Sequence, residues 1–141
     1  VKKYLLDTNV ISEWVKPIPD SCVIRMIQNH YEESVIATPV WHELLYGCYR
    51  LPVSRKRKEL ESFIRNVVES YFPILPYDER SASWHAIERA RLSSAGQTPS
   101  FVDGQIAAIA KVNGLILITR NISDFEIFSD LLIESWHRPS M

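Results

Sequence analysis

Apolar and polar positions fall into blocks along the chain, and the blocks differ in period. Tyr4-Leu5-Leu6 is a short apolar run closed by Asp7-Thr8-Asn9, which predicts a buried strand almost at the first residue. Similar runs predict strands at Ser34-Val35-Ile36-Ala37-Thr38, at Leu115-Ile116-Leu117-Ile118-Thr119 and at Leu131-Leu132-Ile133-Glu134. Phe72-Pro73-Ile74-Leu75-Pro76 predicts another, confined by its prolines to a sheet edge or a short pairing. The intervening blocks have helical period. One runs from a cap at Asp20 or Ser21 to about His30, with Val23, Ile24, Met26 and Ile27 as its buried stripe. Thr38-Pro39 has the chemistry of a helix start, and Val40, Leu44, Gly47 and Leu51 share a face of the helix that runs to about Arg50. A long helix is expected over Ser54–Ser70, and another from Asp78 to Ala95, closed by Gly96, with Trp84, Ile87 and Arg91 on one stripe. The helix opened by Ser100 carries core candidates Ile106, Ala107, Ile109 and Ala110 and ends at Gly114. Val10–Lys16 predicts a short helix or turn, Arg120–Ser129 a polar turn with a short helix, and Trp136–Met141 a tail.

Strands alternating with helices predict an α/β fold, a three-layer α/β/α sandwich around a mainly parallel sheet. The continuous apolar run at 115–119 is what a sheet covered on both faces requires. With 141 residues and no linker or repeat, the expectation is one domain spanning 1–141. Hydrophobic residues at 46% and charged residues at 23% argue against disorder. The net charge of −1 means that any phosphate-binding surface is local. The basic run Arg55-Lys56-Arg57-Lys58 opens a helix with the wrong sign for its dipole, and reads first as a solvated face. Cys22 and Cys48 lack metal-motif spacing and read as reduced, partly buried thiols. No run is long enough to span a bilayer, no signal-peptide core precedes the first strand, and a cytoplasmic protein is expected.

The candidate chemistry is acidic. Asp7 ends the first strand, where open α/β sheets place their ligands. Asp103 stands three residues after Ser100, in the place of a capping-box acid, and Asp124 follows the fourth strand across a turn. Glu43 borders the buried stripe of its helix. Each has an ordinary use as a cap, a loop acid or half of a salt bridge. Their joint placement allows all four to meet at the carboxyl edge of the sheet. Two carboxylates about 4 Å apart repel by about 4 kcal/mol at an effective dielectric of about 20, so such a cluster needs protons or a cation. Oxygen donors alone select Mg²⁺ or Mn²⁺, and such ions serve phosphodiester chemistry. Thr8, Asn9, Ser100, Thr119 and Asn121 are candidates to hold the ligands or their water, and Arg120 to face a phosphate. The sequence His42-Glu43-Leu44-Leu45-Tyr46 lacks the second His of a zinc protease, and neither a glycine-rich phosphate loop nor a G-x-S-x-G is present. Trp14, Trp41 and Tyr46 offer stacking surfaces for bases, though packing is the commoner use of such residues.

The residues that carry this chemistry, Leu5-Leu6-Asp7-Thr8-Asn9-Val10-Ile11-Ser12, Glu43 within Trp41–Gly47, Val102-Asp103-Gly104-Gln105-Ile106-Ala107-Ala108, and Thr119-Arg120-Asn121 with Asp124-Phe125, resemble PIN-domain ribonucleases. More closely they resemble the VapC-type toxins of bacterial toxin–antitoxin modules, in order and spacing from residue 4 to 136. The resemblance implies a PIN fold, a Mg²⁺- or Mn²⁺-dependent endoribonuclease, an RNA substrate, a homodimer, and inhibition by a cognate antitoxin whose tail covers the site. It implies Asp7 and Asp103 as metal ligands, helped by Glu43, with Asp124 as the fourth acid; some relatives carry that acid where this chain has Asn121. Two other readings stand beside it. One is a non-catalytic PIN module that binds RNA or protein. The other is a haloacid-dehalogenase-like phosphatase with Asp7 as nucleophile, which normally wants a second Asp where this chain has Asn9 and a Lys for which Arg120 is a poor substitute.

Overall fold

The structure, a computed structural model, describes residues 1–139. Five strands form the sheet: β1 (Tyr4–Leu6), β2 (Ser34–Ala37), β3 (Ile74–Leu75), β4 (Ile116–Ile118) and β5 (Ile133–Glu134). Their order is β3-β2-β1-β4-β5, and every pairing is parallel. The register places Tyr4 beside both Ser34 and Ile116, so β1 is the centre of the sheet. Leu5, Leu6, Ile36, Leu117 and Ile118 are fully buried, as strands covered on both faces must be. β3, with prolines on either side, is an edge strand as its sequence requires.

Helices flank the sheet and complete the expected three layers. They are α1 (Thr8–Ile11), running on through a 3₁₀ turn at Ser12–Val15, α2 (Ser21–His30), α3 (Thr38–Tyr49), α4 (Arg55–Phe63), α5 (Glu69–Tyr71), α6 (Glu79–Ser94), α7 (Phe101–Val112) and α8 (Ile122–Phe125). Their starts follow from capping chemistry. Asp20 accepts from the Cys22 and Val23 amides, Ser54 from Arg57, Asp78 from Ser81 and Ser100 from Asp103. Gly96 and Gly114 close α6 and α7 in the left-handed region, at φ 75° and 67°. No helix among the described residues is long and apolar enough to cross a membrane.

Several expectations give way to packing. The long helix over Ser54–Ser70 is α4 and α5 joined by a π turn at Ile64–Val68. Thr38 is the first residue of α3 and not its cap; Ala37 precedes it without a side-chain bond. On α3 the buried stripe is Val40 and Cys48, with Leu44 packed between them, whereas Gly47 faces open space. On α6 the buried positions are Ser81, His85, Glu88 and Leu92, and Ile87 is 70% exposed. The expected tail is anchored at its start. Trp136 is buried against Tyr4 and His30, the His137 ring lies 3.2 Å from Glu13, and the Arg138 amide donates to Asp20. Ser140 and Met141, also part of that tail, lie outside the described residues. Of the basic run, Arg55, Lys56 and Lys58 are exposed, with Arg55 paired to Glu59 at 3.1 Å, while Arg57 is half-buried and donates to the Leu51 carbonyl.

The buried Glu88 ties α6 to the loop after α8. It forms a two-pronged pair with Arg91 at 3.0 Å on each oxygen and accepts from the Ser129 amide at 2.7 Å. Arg91 also donates to the Ile127 carbonyl. The Arg91 guanidinium, with the Ser129 bonds behind it, holds the Glu88 carboxyl down at about 2, against an ordinary 4.5. A depressed acid contributes stability that is complete above its unfolded pKa and is lost as pH falls through its folded one. Replacing Glu88 with Gln is therefore expected to cost about 2–3 kcal/mol at neutral pH. It should also flatten the loss of stability between about pH 4.5 and pH 2, as read by urea unfolding across that window.

Candidate active site

The strand order reverses about β1, which leaves a crevice beyond the carboxyl ends of β1 and β4. Asp7 sits there. Its amide donates to the Ile118 carbonyl at 2.9 Å, so the two strands are clamped at the last residue before the site. The Asp7 side chain is 7% exposed and satisfied on both oxygens. One accepts from the Thr8 amide at 2.8 Å; the other accepts from the Thr119 hydroxyl at 2.8 Å and from the Asn9 amide group at 3.4 Å. Asn9 in turn accepts from the Arg120 amide at 3.0 Å, and the Thr119 hydroxyl accepts from the Asn121 amide at 3.1 Å. The turn after β4 is thus folded onto the turn after β1 through side chains of both.

Asp103 is half-buried in the first turn of α7, its amide bonded to Ser100 at 3.1 Å. Asp124 lies exposed in α8. Asp103 and Asp124 share a cleft of about 340 Å³ with Gln97, Thr98, Pro99, Ser100, Ser123 and Ile127. Burial raises the Asp7 carboxyl above the ordinary carboxylate range, and the negative charge of Asp124 adds to this, while the bonds from Thr119, Thr8 and Asn9 oppose it. Burial likewise raises Asp103, with Asp7 and Asp124 adding and Ser100 opposing. The three aspartates therefore share one electrostatic field.

Glu43 stands apart from that trio. It lies on α3, half-buried, in a neighbouring groove of about 240 Å³ with Thr38, Pro39, His42, Val102 and Gln105. Val102 and Gln105 flank the Asp103 turn, so the two clefts share a wall in α7. The Arg120 side chain is exposed, and its backbone amide is what joins the network. The residues not anticipated from sequence are the lining groups Gln97, Thr98, Ser123, His42 and Gln105. Only their nearness along the chain to Ser100, Asp124, Glu43 and Asp103 could have pointed to them. Of the aromatic candidates, Trp14 and Trp41 pack on the core, while Tyr46 is exposed and stacks on His42.

The donor set suits a hard cation. All three aspartates offer oxygen, and among the described residues no Lys or Arg forms a salt bridge with any of them. Also among the described residues, no three His, Cys, Asp or Glu side chains stand close enough to hold one ion together. The arrangement is thus an open one, of the kind Mg²⁺ occupies through one or two carboxylates while keeping several waters.

Comparisons with known proteins bear on the family and the fold. The family model described as PIN domain matches residues 4–129. Toxin FitB of Neisseria gonorrhoeae is 32% identical over 136 residues, covering 94% of this chain and 98% of that protein. The tRNA(fMet)-specific endonuclease VapC of Shigella flexneri is 30% identical over 135 residues, covering 95% and 98%. The solved structure of FitAB bound to the IR36 DNA fragment superposes with a TM-score of 0.88 at 29% identity, over 97% of this chain and 98% of that one. With the buried strand-end aspartate, the two further acids in its field and a match running through nearly its whole length, this chain belongs to the PIN-domain family.

Proposed function

We propose that this protein is a divalent-metal-dependent endoribonuclease, the toxin of a toxin–antitoxin pair, which hydrolyses phosphodiester bonds in cellular RNA with Mg²⁺ or Mn²⁺. The observation that carries the reading is Asp7, buried at the carboxyl ends of β1 and β4 in the field of Asp103 and Asp124, with no Lys or Arg salt-bridged to any of the three among the described residues. Relatives of full matching length are named as toxins and as a transfer-RNA endonuclease, which supports an RNA substrate. Residues 1–141 act as one domain, in the cytoplasm. A toxin must be held inactive in its own cell, so a cognate antitoxin is the expected partner. A homodimer fits the exposed apolar side chains Ile87 and Phe101, at 70% and 49%.

Asp7 and Asp103 would hold the ion, with Asn121, or Asp124 acting through a water, completing its shell. Bound there, a divalent ion supplies positive charge to a phosphodiester under attack. Thr119, Thr8 and Asn9 aim the Asp7 carboxylate and favour its ionised form against the stronger pull of burial. The N-terminus of α7 favours the ionised form of Asp103. Glu43, at the wall shared by the two clefts, would orient the attacking water and take its proton. The water oxygen bonds to phosphorus, the bond to the leaving 3′ oxygen breaks, and that oxygen takes up a proton; the product carries a 5′-phosphate.

The non-catalytic alternative has one observation in its favour, that no three-ligand cluster is preassembled among the described residues. Cleavage of total RNA separates the two. The wild type is expected to give discrete fragments in Mg²⁺ or Mn²⁺ and none in EDTA, and Asp103→Asn to lose at least about 100-fold in rate. In EDTA the same variant should melt above the wild type, since it removes one of three repelling charges, and added cation should stabilise it less. Neither cleavage nor cation binding by the wild type would favour the binding module. A further check is Thr119→Val, which keeps the shape but deletes the 2.8 Å bond to Asp7. That bond lowers the Asp7 pKa, so the acid limb of kcat/KM against pH should move to higher pH, with a rate loss of about tenfold or more. An unmoved limb would remove Asp7 from the rate-determining ionisations.

A further inference from the structure

Gly104 follows Asp103 in the interior of α7, where glycine costs about 1 kcal/mol relative to alanine. It has no left-handed backbone to justify it, unlike Gly96 and Gly114. What it has is a neighbour. A Cβ on Gly104 would lie 2.1 Å from the His85 Nε2, 2.7 Å from its Cδ2 and 2.9 Å from its Cε1. The edge of the His85 imidazole therefore rests directly on the α7 backbone, at the residue after Asp103. The ring cannot easily yield. It is 2% exposed, its Nδ1 is 2.8 Å from the Tyr77 hydroxyl, and Phe101 stands 4.8 Å away between ring centres. Tyr77 meets it edge-on at 5.8 Å.

The turn that His85 touches is the joint of the site. α7 packs against α3, α6 and α8, the helices that carry Glu43, His85 and Asp124. Within residues 101–105, Phe101 lies beside the His85 ring, and Val102 and Gln105 line the Glu43 groove. Asp103 lines the cleft of Asp124, and Gly104 receives the imidazole edge. A shift of this turn would move Asp103 against both Asp7 and Glu43 at once.

We propose that His85, pinned by Tyr77 and seated on Gly104, is a positioning residue that sets the placement of Asp103 and with it the cation affinity and turnover of the site. It touches neither substrate nor ion; it fixes the gap between α6 and α7 at the one turn where that gap decides the chemistry. The proposal rests on the ribonuclease reading for its effect on RNA, but not for its effect on cation binding.

The test compares wild type, Gly104→Ala, the double variant His85→Ala/Gly104→Ala, and Tyr77→Phe. Each is measured by initial rates on RNA, by Mn²⁺ titration followed by electron paramagnetic resonance, and by thermal melting. Gly104→Ala is expected to lower kcat about tenfold to a hundredfold, with KM for RNA moving less than about threefold, and to weaken Mn²⁺ about tenfold. Removing the imidazole in the double variant should relieve the clash, so that melting recovers toward wild type, while kcat and Mn²⁺ affinity stay about tenfold low because the positioning ring is gone. Tyr77→Phe, which keeps the ring and frees His85, is expected to weaken Mn²⁺ measurably and serves if Gly104→Ala does not fold. A Gly104→Ala protein that melts early yet keeps wild-type kcat and Mn²⁺ affinity would overturn the proposal, since His85 would then be packing alone. A double variant with wild-type kcat and Mn²⁺ affinity would overturn it too, as would wild-type Mn²⁺ affinity in Tyr77→Phe. If the wild type binds Mn²⁺ but cuts none of the RNA offered, the kcat comparison falls away, and the Mn²⁺ affinities still decide for or against His85.

Discussion

A buried carboxylate at the end of the central strand is the constraint around which this molecule is arranged. Asp7 gives up most of its hydration and receives three hydrogen bonds in exchange, from Thr8, Thr119 and Asn9. Two of those donors are supplied by the turn that Asp7 itself opens. The third comes from the far side of the sequence, at the end of β4. The bond between Asp7 and Thr119 can exist only if β1 and β4 are adjacent, parallel and in the observed register. Sheet order and site chemistry are in that sense one fact. A slip of one residue would turn Asp7 or Thr119 to the opposite face and leave a buried charge unsatisfied.

From that fixed point the remaining charges are placed by helices, and α7 does most of the placing. Its first turn faces three partners: the α3 helix with Glu43, the α8 turn with Asp124, and the α6 helix with His85. Such a crowded turn needs a residue without a side chain where the backbones come close, and Gly104 fills that need at some cost in helix stability. The site that results is tightly held on the Asp7 side, where both carboxylate oxygens are bonded. It is open on the Asp103–Asp124 side, where those two side chains line a cleft of about 340 Å³. Burial raises the Asp7 and Asp103 carboxyls and the neighbouring acidic charges add to it, a strain that a bound cation would offset.

Much of the fold could be read from the sequence because period and capping act locally. Strands β1, β2 and β4 are apolar runs with sharp polar ends, and Asp78, Ser100, Gly96 and Gly114 mark helix ends by chemistry that needs no partner. The α6 stripe was the main failure, and its cause is instructive. Its buried positions are Ser81, His85, Glu88 and Leu92, three of them polar, so the hydrophobic pattern pointed to the wrong face and to Ile87. Each buried polar group is satisfied by a group elsewhere in the chain: Ser81 by Asp78, His85 by Tyr77, Glu88 by Arg91 and Ser129. Trp136 escaped notice for a related reason. Its partners Tyr4 and His30 are more than a hundred residues away, and nothing beside it marks it as core.

The sequence by itself determined the architecture, the identity of the acids and the family, because strand periodicity, caps and the spacing of Asp7, Glu43, Asp103 and Asp124 are properties of short stretches. Only the tertiary structure decided how those acids stand to one another. Asp7, Asp103 and Asp124 share a field while Glu43 occupies the adjoining groove. It also decided that His85 and Glu88 face inward. Those outcomes depend on distances between segments that meet through the sheet order and the packing of α6 on α7, and neither distance is encoded in the local pattern of either segment.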